Sequence, residues 1–197
     1  MNIATTNNNI IFQANFTNLE KQLIDEVREY SLAHGTETCR IIKNGKDVTN
    51  KFDIYGIENY VSAFPKNGYI FHINLGYLGK YLKFKYYTKN ATYIHSHTAE
   101  LPLSLPDVKM AIMGKLKKII AVTPSGKDST LELNKNRKKL LKHIHIFDEL
   151  IKKNKELEII NKNVFRNPTT LKIYQEAAKR IWDKFVELTG VKYSSNI

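Results

Sequence analysis

The chain has 197 residues, 42% of them hydrophobic and 25% charged, which is typical of one soluble globular domain with a sizeable core. It contains no apolar run of the roughly eighteen residues that a membrane span needs and no secretory signal at its start. The single cysteine, Cys39, excludes an internal disulfide. We therefore expect a cytoplasmic protein.

The net charge of +12 is unevenly distributed. Residues 115–155 contain twelve Lys or Arg and four Asp or Glu, so a net +8 lies there. A basic stretch can attract nucleic acid or another acidic partner. No recognisable nucleic-acid-binding module accompanies it. We therefore interpret the stretch as helices whose solvent-exposed faces carry lysine, with nucleic-acid binding as the alternative.

The first half of the chain predicts a helix followed by a hairpin. Residues 1–16 are polar and Asn-rich, which indicates a loosely ordered N-terminus. Apolar residues at helical spacing in TNLEKQLIDEVREYSLAHG predict a helix that begins at Thr17 or Asn18 and ends at Gly35. TETCRII then predicts a strand, the Asn-Gly of KNGK a tight turn, and DVTNKFDIYGI the return strand.

The second half alternates strands and helices. Residues 59–92 are aromatic-rich, with turn signals that predict mixed strand and short helix. ATYIHSHT predicts a strand, LSLPDVKMAIMGKLK a helix capped by Ser104, and KIIAVTPSGKDSTLEL a strand, turn and strand. Helical periodicity fills residues 134–160 and 167–190. This order predicts an α/β (α+β) fold with helices packed against a sheet.

Two histidines separated by one residue indicate chemistry at the end of a strand. On a strand, residues i and i+2 point to the same face, so His95 and His97 can reach one ion. Asp107, at the start of the following helix, can add a carboxylate. Two imidazoles and a carboxylate are the ligand count of a catalytic zinc site, which keeps a fourth position for water.

The motif His95-Ser96-His97, followed by Ser104-x-x-Asp107, resembles the signature of the JAB/MPN metalloproteases, which carry the zinc-site pattern called JAMM. The order of predicted elements is similar to that family from about residue 18 to residue 134. The chain departs from the family pattern in two places. Thr98 stands where proline is usual, and six residues rather than the commoner seven separate His97 from Ser104.

The resemblance implies a curved mixed β-sheet flanked by helices, in which His95, His97 and Asp107 hold Zn²⁺. It implies that Glu37, at the head of the first strand, moves the proton of the attacking water and that Ser104 stabilises the oxyanion. Glu58, in GIENYV, is a rival for the role of Glu37. The implied reaction is hydrolysis of a peptide or isopeptide bond in a protein or peptide substrate, ubiquitin-like conjugates included, as in small bacterial and phage members.

The resemblance also suggests the domain boundaries and one rival function, and the basic residues 115–155 suggest a second. Residues 17–134 would form the JAB/MPN-like core after the loose residues 1–16, and residues 135–197 a basic helical extension packed on it. The rivals are a non-catalytic interaction module that has lost its metal and a basic nucleic-acid-associated protein.

A second His-x-His pair, His143 and His145, lies in a helical segment, where side chains i and i+2 diverge by about 200° and cannot share an ion.

Overall fold

The computed structural model describes residues 14–58, 60–66, 69–70, 73–74, 76–133, 139–145 and 167–197. Within these residues the protein is a mixed α/β structure with five α-helices. The helices are α1 (Asn18–His34), α2 (Gly76–Thr88), α3 (Leu105–Met113), α4 (residues 139–145) and α5 (Pro168–Thr189). The strands are β1 (Cys39–Lys43), β2 (Lys46–Asp47), β3 (Phe52–Ile57), β4 (Tyr60–Pro65), β5 (Tyr69–Ile70), β6 (Ile73–Asn74), β7 (Thr92–Ser96), β8 (Lys118–Val122), β9 (Asp128–Glu132) and β10 (Lys192–Ser195).

Helix α1 begins and ends where its sequence predicts. The Thr17 hydroxyl accepts a hydrogen bond from the Glu20 amide at 3.2 Å, and the Glu20 carboxylate accepts one from the Thr17 amide at 2.9 Å. This reciprocal pair is the capping box. At the other end, Gly35 adopts a φ of 65°, and its amide donates to the Ser31 carbonyl at 2.8 Å. None of the described helices is both long enough and apolar enough to cross a membrane.

Six strands form one mixed sheet in the order β10-β9-β8-β7-β1-β2. Strands β7 and β8 are parallel, and all other neighbours are antiparallel. Strand β7, which carries the first of the paired histidines, therefore lies in the middle of the sheet. The predicted mixed sheet with flanking helices is confirmed.

Each face of the sheet has its own core. On one face, α1 packs against side chains of the central strands, namely Ile42, Ile94, Ile120 and Val122. The opposite face packs against α3 and α5 in a larger cluster. Its buried members include Cys39, Ile41, Tyr93, Ile119, Leu131, Val108, Ala111, Ile181, Trp182 and Phe185. Helix α5 thus shares one hydrophobic core with the strand that bears the histidines.

The prediction for the return strand of the first hairpin is only partly right. Asn44 and Gly45 form the turn, with φ values of 51° and 73°. Of the predicted return strand, only the two residues of β2 pair with β1. The Asp47 carboxylate accepts a hydrogen bond from the Thr49 amide at 2.7 Å and turns the chain, as Asp commonly does. The Thr49 hydroxyl then accepts from the Ile41 amide at 2.9 Å, so it replaces the partner that a longer strand would supply.

Strand β3 pairs instead with β4, in an antiparallel hairpin outside the main sheet. Helix α2 and the short strands β5 and β6 are the mixed structure predicted for residues 59–92. The predicted helix over residues 167–190 is confirmed by α5. Most of the helix predicted for residues 134–160 lies outside the described residues, whereas residues 139–145, with His143 half-buried and His145 exposed, are helical.

Candidate metal site

The sheet register places His95 and His97 on one face. Cys39 of β1 lies opposite His95, and Ala121 of β8 lies on its other side. The amide of His97 donates to the Val122 carbonyl at 2.8 Å, which extends the pairing of β7 with β8 beyond the end of the strand. The chain is therefore still extended at His97, and both rings project toward α3. Both histidines are buried.

The two rings and Asp107 converge. His95 Nε2 lies 3.0 Å from His97 Nε2 and 3.2 Å from Asp107 Oδ1, and His97 Nε2 lies 3.8 Å from Asp107 Oδ2. Zinc bonds of about 2.0–2.1 Å at tetrahedral angles separate neighbouring ligand atoms by roughly 3.3 Å. The spacing of these three groups therefore fits a single ion, and among the described residues they are the cluster that could hold one.

The start of α3 orients the carboxylate of Asp107. The amide and the hydroxyl of Ser104 both donate to Asp107 Oδ2, at 2.7 and 2.6 Å. Oδ1 is left to face His95. Burial alone would raise the pKa of Asp107, but the adjacent His95 and His97 and the Ser104 hydrogen bond outweigh it and hold that pKa well below its usual range. Asp107 is thus an anion at neutral pH.

The hydrogen bonding and protonation of His97 suit a metal ligand, and His95 is coupled to Asp107. His97 Nδ1 donates to the Leu101 carbonyl at 2.8 Å, which leaves the lone pair of Nε2 facing His95. Burial and the charge of His95 lower the pKa of His97 to about 4, so this ring is neutral at pH 7. For His95, burial lowers the pKa, but Asp107 outweighs it and the net shift is upward. His95 Nε2 faces both His97 Nε2 and Asp107 Oδ1, so a bound cation would take the place of any proton held between these atoms.

Glu37 lies two residues before β1 and interacts electrostatically with His95 and Asp107. Its side chain is 8% exposed, and burial raises its pKa to about 7, while His95 and Asp107 act on it electrostatically in opposite directions. Glu58, the rival, is exposed, and its carbonyl accepts a hydrogen bond from the Thr98 hydroxyl. Of the two glutamates, Glu37 is the one in electrostatic contact with the site.

Two residues to which the motif assigns no role position the backbone at Glu37 and Thr38. Ser96, between the histidines, accepts the Thr38 amide on its hydroxyl at 2.9 Å and donates its own amide to the Thr38 carbonyl at 3.0 Å. Gly56 is the second, because β3 approaches the backbone of Glu37 there and the Glu37 amide donates to the Ile57 carbonyl at 3.0 Å. No short sequence pattern predicts either contact, because each joins segments that are distant in sequence.

Gly56→Ala is expected to separate β3 from Glu37. A Cβ at this position would lie 1.7 Å from the Glu37 carbonyl oxygen, which is backbone and cannot rotate away. We expect a loss of unfolding free energy on the order of 3 kcal/mol, measured by chemical denaturation. Gly114→Ala is the comparison: its φ is −73° and its Cβ would lie 3.2 Å from the Met110 carbonyl oxygen, a tight contact but not an overlap, so a smaller loss is expected. Equal stability of the Gly56→Ala variant and the wild type would contradict the close approach.

The sequence-predicted ligands His95, His97 and Asp107 are thus brought together, with Glu37 beside them. The Ser104 hydroxyl is bonded to Asp107. Comparison of this chain with protein-family models, with curated proteins and with solved structures found no match. The fold and the site define a mixed α/β protein with a buried His-His-Asp group that could hold a metal ion.

Proposed function

We propose that the protein is a zinc-dependent hydrolase of peptide or isopeptide bonds, of the JAMM type. The observation that carries the proposal is the convergence of His95, His97 and Asp107 beside a buried glutamate. Two neutral imidazoles and one carboxylate are the donor set of many catalytic zinc sites. When bound, zinc would polarise the scissile carbonyl and acidify a water molecule.

The protein's own residues would then handle the proton. Glu37 is poised for this role because a carboxyl with a pKa of about 7 can both accept and return a proton near neutral pH. It would take the proton from the attacking water and deliver it to the leaving amine. Ser104 would serve as a hydrogen-bond donor to the oxyanion once its hydroxyl turns from Asp107 toward the substrate.

The hairpin beside the site supports a polypeptide substrate. Glu58 lies at the tip of the hairpin, between the end of β3 and the start of β4. Its carbonyl accepts a hydrogen bond from the hydroxyl of Thr98, the residue after His97. The outer face of the hairpin carries four large apolar side chains that are at least half exposed. These are Tyr55, Ile57, Tyr60 and Phe64. An apolar surface at the rim of a hydrolytic site suits an apolar stretch of protein chain better than a small polar molecule.

Zinc content is the first test. The full chain, purified without a metal-affinity tag, is expected to hold one equivalent of zinc by elemental analysis. His97→Ala should lose it, because the variant keeps only two ligands. His145→Ala is the matched control, since His145 is exposed on α4, and should retain the metal.

Hydrolysis of peptide and ubiquitin-like substrates is the second test, and it depends on zinc. Wild-type protein that binds no zinc even after reconstitution would overturn the hydrolase proposal. That outcome would favour a non-catalytic interaction module that has lost its metal. Stoichiometric zinc without hydrolysis of any substrate in a broad peptide library would contradict the peptide or isopeptide substrate.

A further inference from the structure

The loop between His97 and Ser104 supplies the main-chain group that orients one proposed ligand. His97 Nδ1 donates to the carbonyl of Leu101 at 2.8 Å. In metal sites such a bond fixes the tautomer and the direction of the ring, and its loss weakens metal binding 10- to 100-fold. The partner here is a backbone carbonyl, so its position depends on whatever holds the loop.

Helix α5 holds this loop at two points, although its two donors lie 75 and 79 residues further along the chain than their acceptors. Gln175 Nε2 donates to the Glu100 carbonyl at 2.6 Å, and Trp182 Nε1 donates to the Leu103 carbonyl at 2.9 Å. These two bonds bracket Leu101. Both donors come from outside the His-x-His and Ser-x-x-Asp segments that define the motif.

The opposite side of the loop is held by the turn and strand after β8. The carboxylate of Glu100 accepts the amide and the hydroxyl of Ser125, at 2.8 and 2.7 Å. The amide of Leu103 donates to the Ser129 hydroxyl at 2.8 Å. The loop is therefore fixed on both sides. The peptide between Glu100 and Leu101 is held at its carbonyl by Gln175 and at its amide by the Ala99 carbonyl, at 2.8 Å.

We propose that Gln175 is a positioning residue for the metal site. By fixing the Glu100 carbonyl, it holds the adjacent Leu101 carbonyl in line with His97 Nδ1 and so keeps His97 Nε2 directed at the ion. This inference rests on the proposed function for its metal, but the orientation of His97 is a property of the metal-free protein as well. It gives helix α5 a role in the site beyond its contribution to the core.

Gln175 can be altered without opening the core. Trp182 is 1% exposed and packs in the main hydrophobic cluster, so its replacement would destabilise the whole fold. Gln175 is half-buried, and the hydrogen bond to Glu100 is its contact with the loop. Gln175→Met keeps the length of the side chain and removes the donor, whereas Gln175→Lys retains a donor.

The experiment compares the two variants with wild type and with Glu176→Met, a control at an exposed neighbouring position on α5. Zinc affinity is measured by competition with a chromophoric chelator, and thermal stability is measured on the metal-free protein. In the same metal-free samples, ¹H–¹⁵N NMR of the histidine rings follows the proton on His97 Nδ1. That proton should be protected from exchange by its bond to Leu101.

We expect Gln175→Met to bind zinc about tenfold more weakly and to lose protection of the His97 Nδ1 proton. Gln175→Lys should retain most of both properties, and Glu176→Met should match wild type. If wild type binds zinc and Gln175→Met does so within twofold, with the ring proton still protected, the positioning role is overturned while the proposed function stands. If wild type binds no zinc, the proposed function fails, and the ring proton alone decides the role of Gln175.

Discussion

Glu37→Gln is expected to stabilise the metal-free protein at pH 8 and to slow the proposed hydrolysis at least about a hundredfold. Burial raises the pKa of Glu37 from an ordinary 4.5 to about 7. At pH 8 the folded protein therefore contains a desolvated carboxylate that the unfolded chain exposes to water. Glutamine has nearly the same shape and no charge, so the variant avoids that cost.

The size and the pH dependence of the stability gain follow from the raised pKa of Glu37. A group whose pKa is higher in the folded state destabilises the fold as pH rises through the interval between the two pKa values. The stability difference between Glu37→Gln and wild type should therefore be near zero at pH 4, grow between about pH 4.5 and 7, and reach at most ~3 kcal/mol at pH 8. Denaturation of chelator-treated protein at pH 4, 6 and 8 measures it.

The control for stability is Glu58→Gln, which alters an exposed side chain and should change the free energy of unfolding by less than about 0.5 kcal/mol at any pH. A stability gain for Glu37→Gln that is the same at pH 4 and pH 8 would contradict the buried-carboxylate explanation.

On the zinc-loaded protein, loss of a general base should lower kcat by about 10²- to 10⁴-fold. KM should change little, because in the proposed mechanism Glu37 acts on the water and not on the substrate chain. Full activity in Glu37→Gln together with low activity in Glu58→Gln would reverse the assignment of the base.

Local signals in the sequence predict the parts of the site that are local in the structure. The Thr17–Glu20 capping box, the Asn44-Gly45 turn and the Ser104 cap of α3 each depend on residues within a few positions of one another. The spacing of His95 and His97 is of the same kind, since a two-residue period in an extended chain fixes the common face.

Nonlocal pairing accounts for what the sequence does not predict. Nothing near DVTNKFDIYGI shows that its second half leaves β1 and pairs with β4, because the decision depends on competition between distant partners. The register that sets Cys39 opposite His95, and with it Glu37 beside the site, likewise joins segments more than fifty residues apart. The bond from Gln175 to the loop could be found only from the structure, since an amphipathic helix pattern does not show which polar residue contacts which carbonyl.

The second large effect is expected on the opposite face of the sheet, where Lys118 and Glu20 form a buried ion pair. Lys118 Nζ lies 3.2 Å from both carboxylate oxygens of Glu20 and donates to the Asn15 carbonyl at 3.1 Å. Both side chains are less than 10% exposed. This ion pair joins Glu20 of α1 to Lys118, the first residue of β8.

Lys118→Met should cost about 3–5 kcal/mol at pH 7, because it leaves the Glu20 carboxylate buried without its cation. Burial alone would raise the pKa of Glu20, but the hydrogen bond from the Thr17 amide and the charge of Lys118 outweigh it and lower that pKa below 4.5. A depressed folded-state pKa gives stability that is present above 4.5 and is lost as pH falls through the folded value. The difference between wild type and Lys118→Met should therefore shrink toward pH 3.

The double variant Glu20→Gln/Lys118→Met separates the charge from the packing. Methionine keeps the apolar stem of Lys118, and glutamine keeps an acceptor for the Thr17 amide, so the double variant should be more stable than Lys118→Met alone at pH 7. Urea denaturation of the four proteins in this cycle, at pH 7 and pH 3, measures the coupling. If Lys118→Met loses the same stability at both pH values and Glu20→Gln does not relieve the loss, then packing of the lysine stem, and not the ion pair, joins α1 to the sheet.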